Sequence, residues 1–176
     1  MMRPVRQVIP LRKRPIDLAI VAFFAINALF ITYIIDFEQL VVSNAAHFAY
    51  PVWPPKPLID LIHWWGNQFD PLLIERPPFW KATIWLDVLG FGPFYFVAIW
   101  AFFKGKEWIR IPSIVWASMM MTNVIILLSE EAFGSFATPH LALVVAANAS
   151  WVIFPIIVIA RMARADHPFT TEPPAL

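Results

Sequence analysis

Leu18–Ile35 reads LAIVAFFAINALFITYII, an apolar run without a single charged residue. A helix needs about 20 apolar residues to cross the hydrocarbon core of a bilayer. Three further stretches have comparable length and character, namely Phe79–Phe103, Ile111–Leu128 and Leu141–Ala160. Only Phe79–Phe103 carries a charge deep inside it, at Asp87. The pattern predicts an all-α integral membrane protein, folded as a four-transmembrane-helix bundle.

The composition of the whole chain agrees with a membrane protein. Its 176 residues are 60% hydrophobic and 14% charged, whereas an average soluble domain is about 45–50% apolar and about 25% charged. The net charge of +1 provides no field for a nucleic acid. The absence of cysteine excludes disulfides and Cys-ligated metals. No phosphate-binding or metalloprotease motif is present, so we expect a lipid bilayer as partner and neither cofactor nor metal.

The basic residues predict the topology. Ten of the 13 Lys and Arg residues lie before the first span, between the second and third spans, or after the fourth. Cytoplasmic segments carry the excess of Lys and Arg, so both termini are expected in the cytoplasm. We divide the chain into a basic N-terminal segment 1–15, a membrane domain 16–162 and a tail 163–176, whose last stretch HPFTTEPPAL is expected to fray. The first run is longer than the 7–15 residues typical of a signal peptide, so we expect it to be retained.

A long luminal loop rich in proline and tryptophan connects the first two spans. Within it, Leu58, Leu61, Ile62 and Trp65 have helical spacing, which predicts a short amphipathic helix lying against the bundle or in the membrane interface. The loop histidines, His47 and His63, lack metal-ligand spacing, and we assign them structural roles. Tryptophans near span ends are typical of an interfacial aromatic belt. We assign Trp80, Trp100 and Trp108 to such a belt.

Polar side chains lie at similar depths in four spans. At a rise of 1.5 Å per residue, Asp87 is about 12 Å, Asn123 about 7 Å and Asn148 about 10 Å from the luminal end of its helix. Asp36 ends the first span, with Thr32 one turn earlier on the same face. The sequence therefore predicts a polar layer in the luminal half of the bundle.

Each of these residues also has a purely structural interpretation. Asp87 is either functional or a buried acid bonded to a neighbouring helix, and Asp36 is either a site residue or the hydrated end of its span. Amides are common between membrane helices, and Trp151 is equally consistent with packing. Pro93 and Pro155 kink their helices and open space in the bundle, with or without a function. If Asp36 and Asp87 meet, they share one proton, and such a pair suits an amine or a sterol hydroxyl.

An ordered set of motifs in the middle of the chain resembles a known family. The motifs are Asp70-Pro71-Leu72-Leu73, Pro77-Pro78-Phe79-Trp80-Lys81, Asp87, Pro93, Phe103-Lys104-Gly105, Trp108-Ile109-Arg110 and Pro112. In this combination the sequence resembles the sigma-2 receptor family. That family lies within the EXPERA superfamily, which includes the emopamil-binding protein, a sterol Δ8–Δ7 isomerase.

The resemblance implies a multi-pass bundle in the endoplasmic reticulum membrane, usually a homodimer, whose cavity opens to the lipid and binds sterols and lipophilic amines. Carried over by motif, the amine-binding acid is Asp36 and its acidic partner is Asp87, while Asp70 orders the loop. The other implied or candidate ligand-binding residues are Thr32, Trp64, Asn123, Asn148 and Trp151. Pro93 and Pro155 are assigned structural roles.

Three functions remain open at this point. The first is binding of a sterol-like lipid or a cationic amphiphile, in the service of sterol homeostasis or trafficking. The second is a double-bond isomerase that uses Asp36 and Asp87 as its acids, aided by Trp151. The isomerase branch has a histidine where this sequence has Thr32, which cannot titrate. The third is a purely structural membrane subunit.

Overall fold

A computed structural model describes residues 6–172 of the chain. It contains four helices that are long and apolar enough to cross a membrane: Pro15–Val41, Pro78–Lys104, Glu107–Phe133 and Leu141–Ala163. We call these the first to fourth membrane helices. They contain the four apolar runs and extend beyond most of their ends, so the predicted four-helix membrane bundle is confirmed.

The first two membrane helices contain wider, π-helical turns. The first is α-helical over Pro15–Ile26, π-helical over Asn27–Asp36 and α-helical again over Phe37–Val41. The second is α-helical over Pro78–Leu86 and Gly92–Lys104, with a π-helical segment at Asp87–Phe91 between them. Pro93 lies two residues after that segment and lacks the N–H that would bond to the carbonyl of Leu89 in a regular helix. π-Helical turns inside helices often accompany functional sites.

The third and fourth membrane helices differ in regularity. The third begins with a 3₁₀ turn at Glu107–Ile109 and continues as an α-helix over Arg110–Phe133. The fourth consists of Leu141–Asn148 and Ser150–Ala163, which are separated at Ala149. Pro155 lies inside the second of these pieces. The interruption at Ala149 comes six residues before Pro155, which lies within a continuous α-helix.

The loop between the first two membrane helices contains two helices of its own, Lys56–Gln68 and Pro71–Glu75. The longer one, which we call the loop helix, matches the predicted amphipathic segment. Asp70 is the N-cap of the shorter helix, and its side chain accepts a hydrogen bond from the backbone N–H of Leu73 at 3.3 Å. Such a cap satisfies one of the free N–H groups of a helix start.

An aromatic core joins the membrane helices at the end of the bundle opposite the loop. Phe24 packs edge-to-face on Phe102 and Trp116, with ring centroids 5.9 and 4.9 Å apart, and Phe23 stacks on Phe154 at 4.3 Å. Edge-to-face and offset stacked arrangements are favoured because the ring faces are negative and the ring edges positive.

The two termini pair at this same end, which we call the terminal end. Gln7–Val8 forms an antiparallel pair of strands with Thr170–Thr171. Phe169 is fully buried against Phe102, with ring centroids 5.0 Å apart. The expectation that the tail frays is therefore wrong up to residue 172, because burial of Phe169 fixes it. Residues 173–176, and residues 1–5 of the N-terminal segment, lie outside the described part of the chain.

A buried ion cluster connects the first and fourth membrane helices at the terminal end. Asp17 is fully buried and accepts from Arg14 at 2.7 Å and from Arg161 at 2.9 Å. Arg14 also donates to the carbonyl of Phe102, and Arg161 to the carbonyl of Pro168. The aspartate that begins the first membrane helix is thus fully neutralised, and the tail is fixed to the bundle.

Candidate ligand-binding cavity

A cavity of about 350 Å³ lies between the membrane helices and the loop helix. Pockets for small molecules commonly have volumes of about 300–1,000 Å³. The cavity extends from buried residues such as Met120 to residues exposed on the outside of the bundle, such as Phe30 and Leu61. Its apolar lining comprises Phe30, Ile31, Ile34, Ile35, Leu58, Leu61, Ile62, Trp65, Leu73, Trp80, Ile84, Met120, Val124, Leu127, Ala147 and Trp151.

Six polar residues complete the lining of this mainly apolar cavity. They are Asp36, Asp70, Thr83, Asp87, Asn123 and Asn148. Of the candidate ligand-binding residues from the sequence, the structure thus brings together both acids, both asparagines and Trp151. The predicted polar layer exists, and it lies on the walls of a single cavity.

The two acids of the membrane helices have different surroundings. Asp87 accepts a hydrogen bond of 2.5 Å from the hydroxyl of Thr32, which is fully buried. Asp36 lies one turn further along the first membrane helix, lines the cavity and is only 8% exposed. Its carboxyl group forms no side-chain hydrogen bond with any residue from 6 to 172. Asp36 therefore presents the carboxyl that is free to accept a ligand group.

Trp151 is held in place by a residue that the sequence analysis did not single out. Its indole N–H donates to Asn27 at 2.7 Å, and the amide of Asn27 donates to the carbonyl of Phe23 at 2.8 Å. Asn27 is almost fully buried in the apolar run of the first membrane helix. A lone amide within an uncharged span is a signal of interhelical bonding, so Asn27 was detectable from the sequence. The amide of Asn148 donates within its own helix, to Val144 at 2.9 Å.

The loop tryptophans occupy positions different from those predicted. Trp64 is 53% exposed and does not line the cavity, whereas its neighbour Trp65 does. The placement of Trp64 among the ligand-binding residues is therefore not supported, because the loop helix turns its other face to the cavity. Trp80 is also buried, and it donates to the side chain of Gln39 instead of joining an interfacial belt. Trp100 and Trp108 are half exposed, as belt residues should be.

A second buried ion cluster lies where the loop joins the first membrane helix. Glu38 is fully buried and accepts from Arg76 at 2.8 Å and contacts His63 at 2.8 Å. Arg76 also donates to the carbonyls of Leu73 and Val42, at 2.8 and 2.5 Å. Arg76 has a φ of +50°, a conformation that non-glycine residues rarely adopt. The structural role assigned to His63 agrees with these contacts.

Gly92 permits the close approach of the first two membrane helices beside the acids. A methyl group at this position would lie 2.7 Å from the hydroxyl oxygen of Tyr33 and 2.9 Å from Cγ2 of Thr32. We expect Gly92→Ala to destabilise the protein by about 1–3 kcal/mol, because overpacking forces neighbouring groups to shift. Thermal unfolding of the purified protein in detergent measures this change.

The matched control for Gly92→Ala is Gly90→Ala. Gly90 is exposed, and a methyl group there meets only the tip of the flexible Leu86 side chain, at 3.3 Å. This variant should be neutral or slightly stabilising, since alanine is the better helix former. Equal destabilisation by the two variants would contradict the close approach at Gly92.

A membrane-embedded bundle of four helices around an acid-lined cavity is the class of protein that the fold and the site define. Within that class, the sequence profile described as EBP: EXPERA (EXPanded EBP superfamily) matches residues 57–162. The chain belongs to this superfamily.

Two relatives illustrate the similarity. Sigma intracellular receptor 2 of Xenopus tropicalis is 33% identical over 116 residues, which cover 65% of this chain and 63% of the frog protein. Sigma intracellular receptor 2 of Homo sapiens is 31% identical over 127 residues, which cover 64% of this chain and 72% of the human protein. The chain thus matches slightly less than two thirds of the length of its frog relative.

The described residues offer no obvious place for a metal ion. Within residues 6–172, no group of three or more His, Asp or Glu side chains has the geometry to hold one. Of the cavity acids, Asp87 accepts from Thr32, Asp70 caps the start of the short helix, and Asp36 lines the mainly apolar cavity. This arrangement suits an uncharged hydroxyl or an organic cation with an apolar body.

Proposed function

We propose that the cavity binds sterol-like lipids and lipophilic amines within the membrane, and that the protein serves sterol homeostasis or trafficking. The observation that carries the proposal is the free carboxyl of Asp36, which faces an apolar cavity of about 350 Å³. An apolar body gains free energy by leaving water for such walls. A single polar head on that body then has one buried acceptor to bind.

We propose that Asp36 and Asp87 act as a pair, and such a pair favours a ligand that donates hydrogen bonds. Both acids line one cavity, and the partner of Asp87, Thr32, is one turn from Asp36. Two close carboxylates cannot both ionise cheaply, so we assign one proton to the pair. The pair then carries a single negative charge, which attracts an ammonium group or accepts from a hydroxyl.

The relatives of this chain support the same proposal. Their name, Sigma intracellular receptor 2, describes receptors inside cells, and this chain is similar to them. We extend to this protein the ligand classes implied by the resemblance, sterols and lipophilic amines. We further propose residence in the endoplasmic reticulum membrane, assembly as a homodimer, and cytoplasmic termini. The termini pair at one end of the bundle, near most of the Lys and Arg residues, which favours that orientation.

The test is mass spectrometry of the lipids that co-purify with the protein and with a variant whose cavity is filled. Ala147 lines the cavity and Ala146 does not, although both are exposed residues of the same helix. We expect a sterol to be enriched with the wild type and with Ala146→Phe, and to be reduced about tenfold or more with Ala147→Phe, because the added ring occupies the cavity. Equal sterol content in all three samples would contradict the proposal.

The isomerase remains a second candidate because two acids share one apolar cavity with Trp151. A double-bond shift requires a proton donor on one side and an acceptor on the other, and an aromatic face to shelter the cationic intermediate. Thr32 holds Asp87 by a hydrogen bond, in the position where the isomerase branch has a histidine. Conversion of a Δ8-sterol to its Δ7 isomer, lost on Asp87→Asn, would establish this candidate, and its absence in sterol-loaded protein would exclude it.

A further inference from the structure

A second pair of acids lies at the loop end of the cavity, apart from Asp36 and Asp87. Asp70 lines the cavity and is 7% exposed, while Glu131, at the end of the third membrane helix, is 2% exposed. The carboxyl group of Asp70 lies within hydrogen-bonding range of that of Glu131. Glu131 has no part in the proposed ligand contacts, so its burial requires a separate explanation.

The surroundings of this pair provide no neutralising cation. Apart from the Asp70 carboxyl, no group among the described residues donates a hydrogen bond to the Glu131 oxygens, and no Lys, Arg or His among them forms an ion pair with either acid. A carboxylate is only an acceptor, and a carboxyl donates only when it is protonated. Two buried acids in contact therefore require one shared proton.

The pair belongs to a contact that closes one wall of the cavity. Asp70 and Leu73 line the cavity. Their segment, residues 69–73, is held against residues 131–140, which connect the third and fourth membrane helices; we call this contact the clasp. Thr138 donates its hydroxyl to the carbonyl of Phe69 at 2.6 Å and its N–H to the carbonyl of Glu131 at 2.9 Å. The ring of His140 packs on the edge of Phe69, with centroids 5.4 Å apart.

We propose that Asp70 and Glu131 share one proton that holds the clasp closed over the loop end of the cavity, so that the clasp loosens and the ligand exchanges faster as the pH rises. When the proton is lost, a hydrogen bond is replaced by repulsion between two buried negative charges. The first part of this inference concerns the fold alone, and the second part, on ligand exchange, rests on the proposed function.

The direction of the pH effect follows from the burial of the pair. Burial raises the pKa of Asp70, against the opposing effects of its hydrogen bonds with Glu131 and with the Leu73 N–H. A raised pKa in the folded protein means that the stabilisation is complete at low pH and is lost as the pH rises through that value. The other titratable groups facing the clasp are Glu130, which accepts from the Phe136 N–H, and His140; Asp36 and Asp87 face the same cavity.

Hydrogen–deuterium exchange of the protein in lipid nanodiscs tests the clasp without any ligand. Wild type, Glu131→Gln and Glu130→Gln are compared at each pH from about 6 to about 9, so that intrinsic exchange rates cancel. Between these limits we expect exchange in segments 69–75 and 134–140 to rise roughly tenfold more in the wild type than in Glu131→Gln. The glutamine at position 131 donates a hydrogen bond at every pH. Glu130→Gln keeps both acids of the pair and an acceptor for the Phe136 N–H, so exchange in this variant should still rise with pH.

A second variant protects the test against misfolding. Asp70→Asn retains the oxygen that caps the Leu73 N–H and donates to Glu131 through its amide, so it should also abolish the pH response. Identical pH profiles in the wild type and in both amide variants would overturn the shared proton.

Release of a neutral fluorescent sterol then tests the link to the cavity. A neutral probe is needed because the charge of an amine probe would respond to Asp36 and Asp87. We expect its dissociation rate to follow the exchange of the clasp in the wild type and to be independent of pH in Glu131→Gln. If the clasp opens as the pH rises and the sterol dissociation rate stays constant, the gating role is overturned. If exchange in the clasp responds to pH but the protein binds no sterol, the proposed function is overturned and the shared proton is still supported.

Discussion

Replacement of Asp36 by asparagine is expected to weaken the binding of a lipophilic amine by roughly 10- to 100-fold. A charge-assisted hydrogen bond contributes about 1.5–3 kcal/mol, and every 1.4 kcal/mol corresponds to about a factor of ten in affinity. Asp36 has a free carboxyl in the cavity, whereas Asp87 already accepts from Thr32. Equilibrium binding of a radiolabelled tertiary amine to the purified protein measures the effect.

The control for this variant is Asp60→Asn. Asp60 is an exposed acid of the loop helix that bonds to Tyr50 and Lys56 and does not line the cavity, so its replacement should leave amine affinity unchanged. A neutral sterol should lose less affinity than the amine on Asp36→Asn, because an amide oxygen still accepts from a hydroxyl. Unchanged amine affinity in a folded Asp36→Asn protein would mean that Asp36 is only the hydrated end of its helix.

Replacement of Glu38 by alanine is expected to lower the stability of the protein by about 3–5 kcal/mol. Removal of one partner from a buried ion pair leaves the other charge uncompensated. Here the remaining charge is the guanidinium of Arg76, which is 3% exposed and joins the loop to the first membrane helix through Glu38 and the carbonyl of Val42. Thermal unfolding in detergent measures the loss.

Two further variants make this result specific. Glu75→Ala removes an exposed acid at the end of the short loop helix and should change stability by less than about 0.5 kcal/mol, as most surface substitutions do. Glu38→Gln retains an acceptor for Arg76 and should fall between the two. A loss below about 1 kcal/mol for Glu38→Ala would show that the cluster is not a structural anchor.

The spans and the polar layer were predictable because they depend on local chemistry. A run such as Leu18–Ile35 has no stable location other than a bilayer, and backbone hydrogen bonding then requires a helix. Once four helices of known direction are placed, counting at 1.5 Å per residue brings Asp87, Asn123 and Asn148 to similar depths. Their common cavity follows from that arithmetic, since polar groups at membrane depth face the bundle interior.

The orientation of Trp64 was predictable from the sequence. The spacing of Leu58, Leu61, Ile62 and Trp65 predicts the apolar face of the loop helix, and that face lines the cavity. Adjacent residues of a helix are about 100° apart around its axis, because 3.6 residues make a turn. The same periodicity therefore directs Trp64 away from the cavity when Trp65 faces it.

Other features depended on tertiary contacts that no local pattern reveals. Glu38 and Arg76 are distant in sequence, and their pairing requires an arginine with a left-handed backbone conformation. The docking of Phe169 requires aromatic rings at the terminal end of the bundle, including that of Phe102. The tail has the composition of a flexible end, and its order comes from the surface on which it packs.

The most direct test of an intramembrane ligand cavity is to map where a photoreactive sterol labels the protein in nanodiscs. Labelled peptides should contain cavity-lining residues such as Ile34, Ile84, Val124 and Ala147, and an excess of lipophilic amine should abolish the labelling. Labelling restricted to lipid-facing positions such as Leu29 and Leu89, which are 66% and 67% exposed, and unaffected by the amine, would contradict the account.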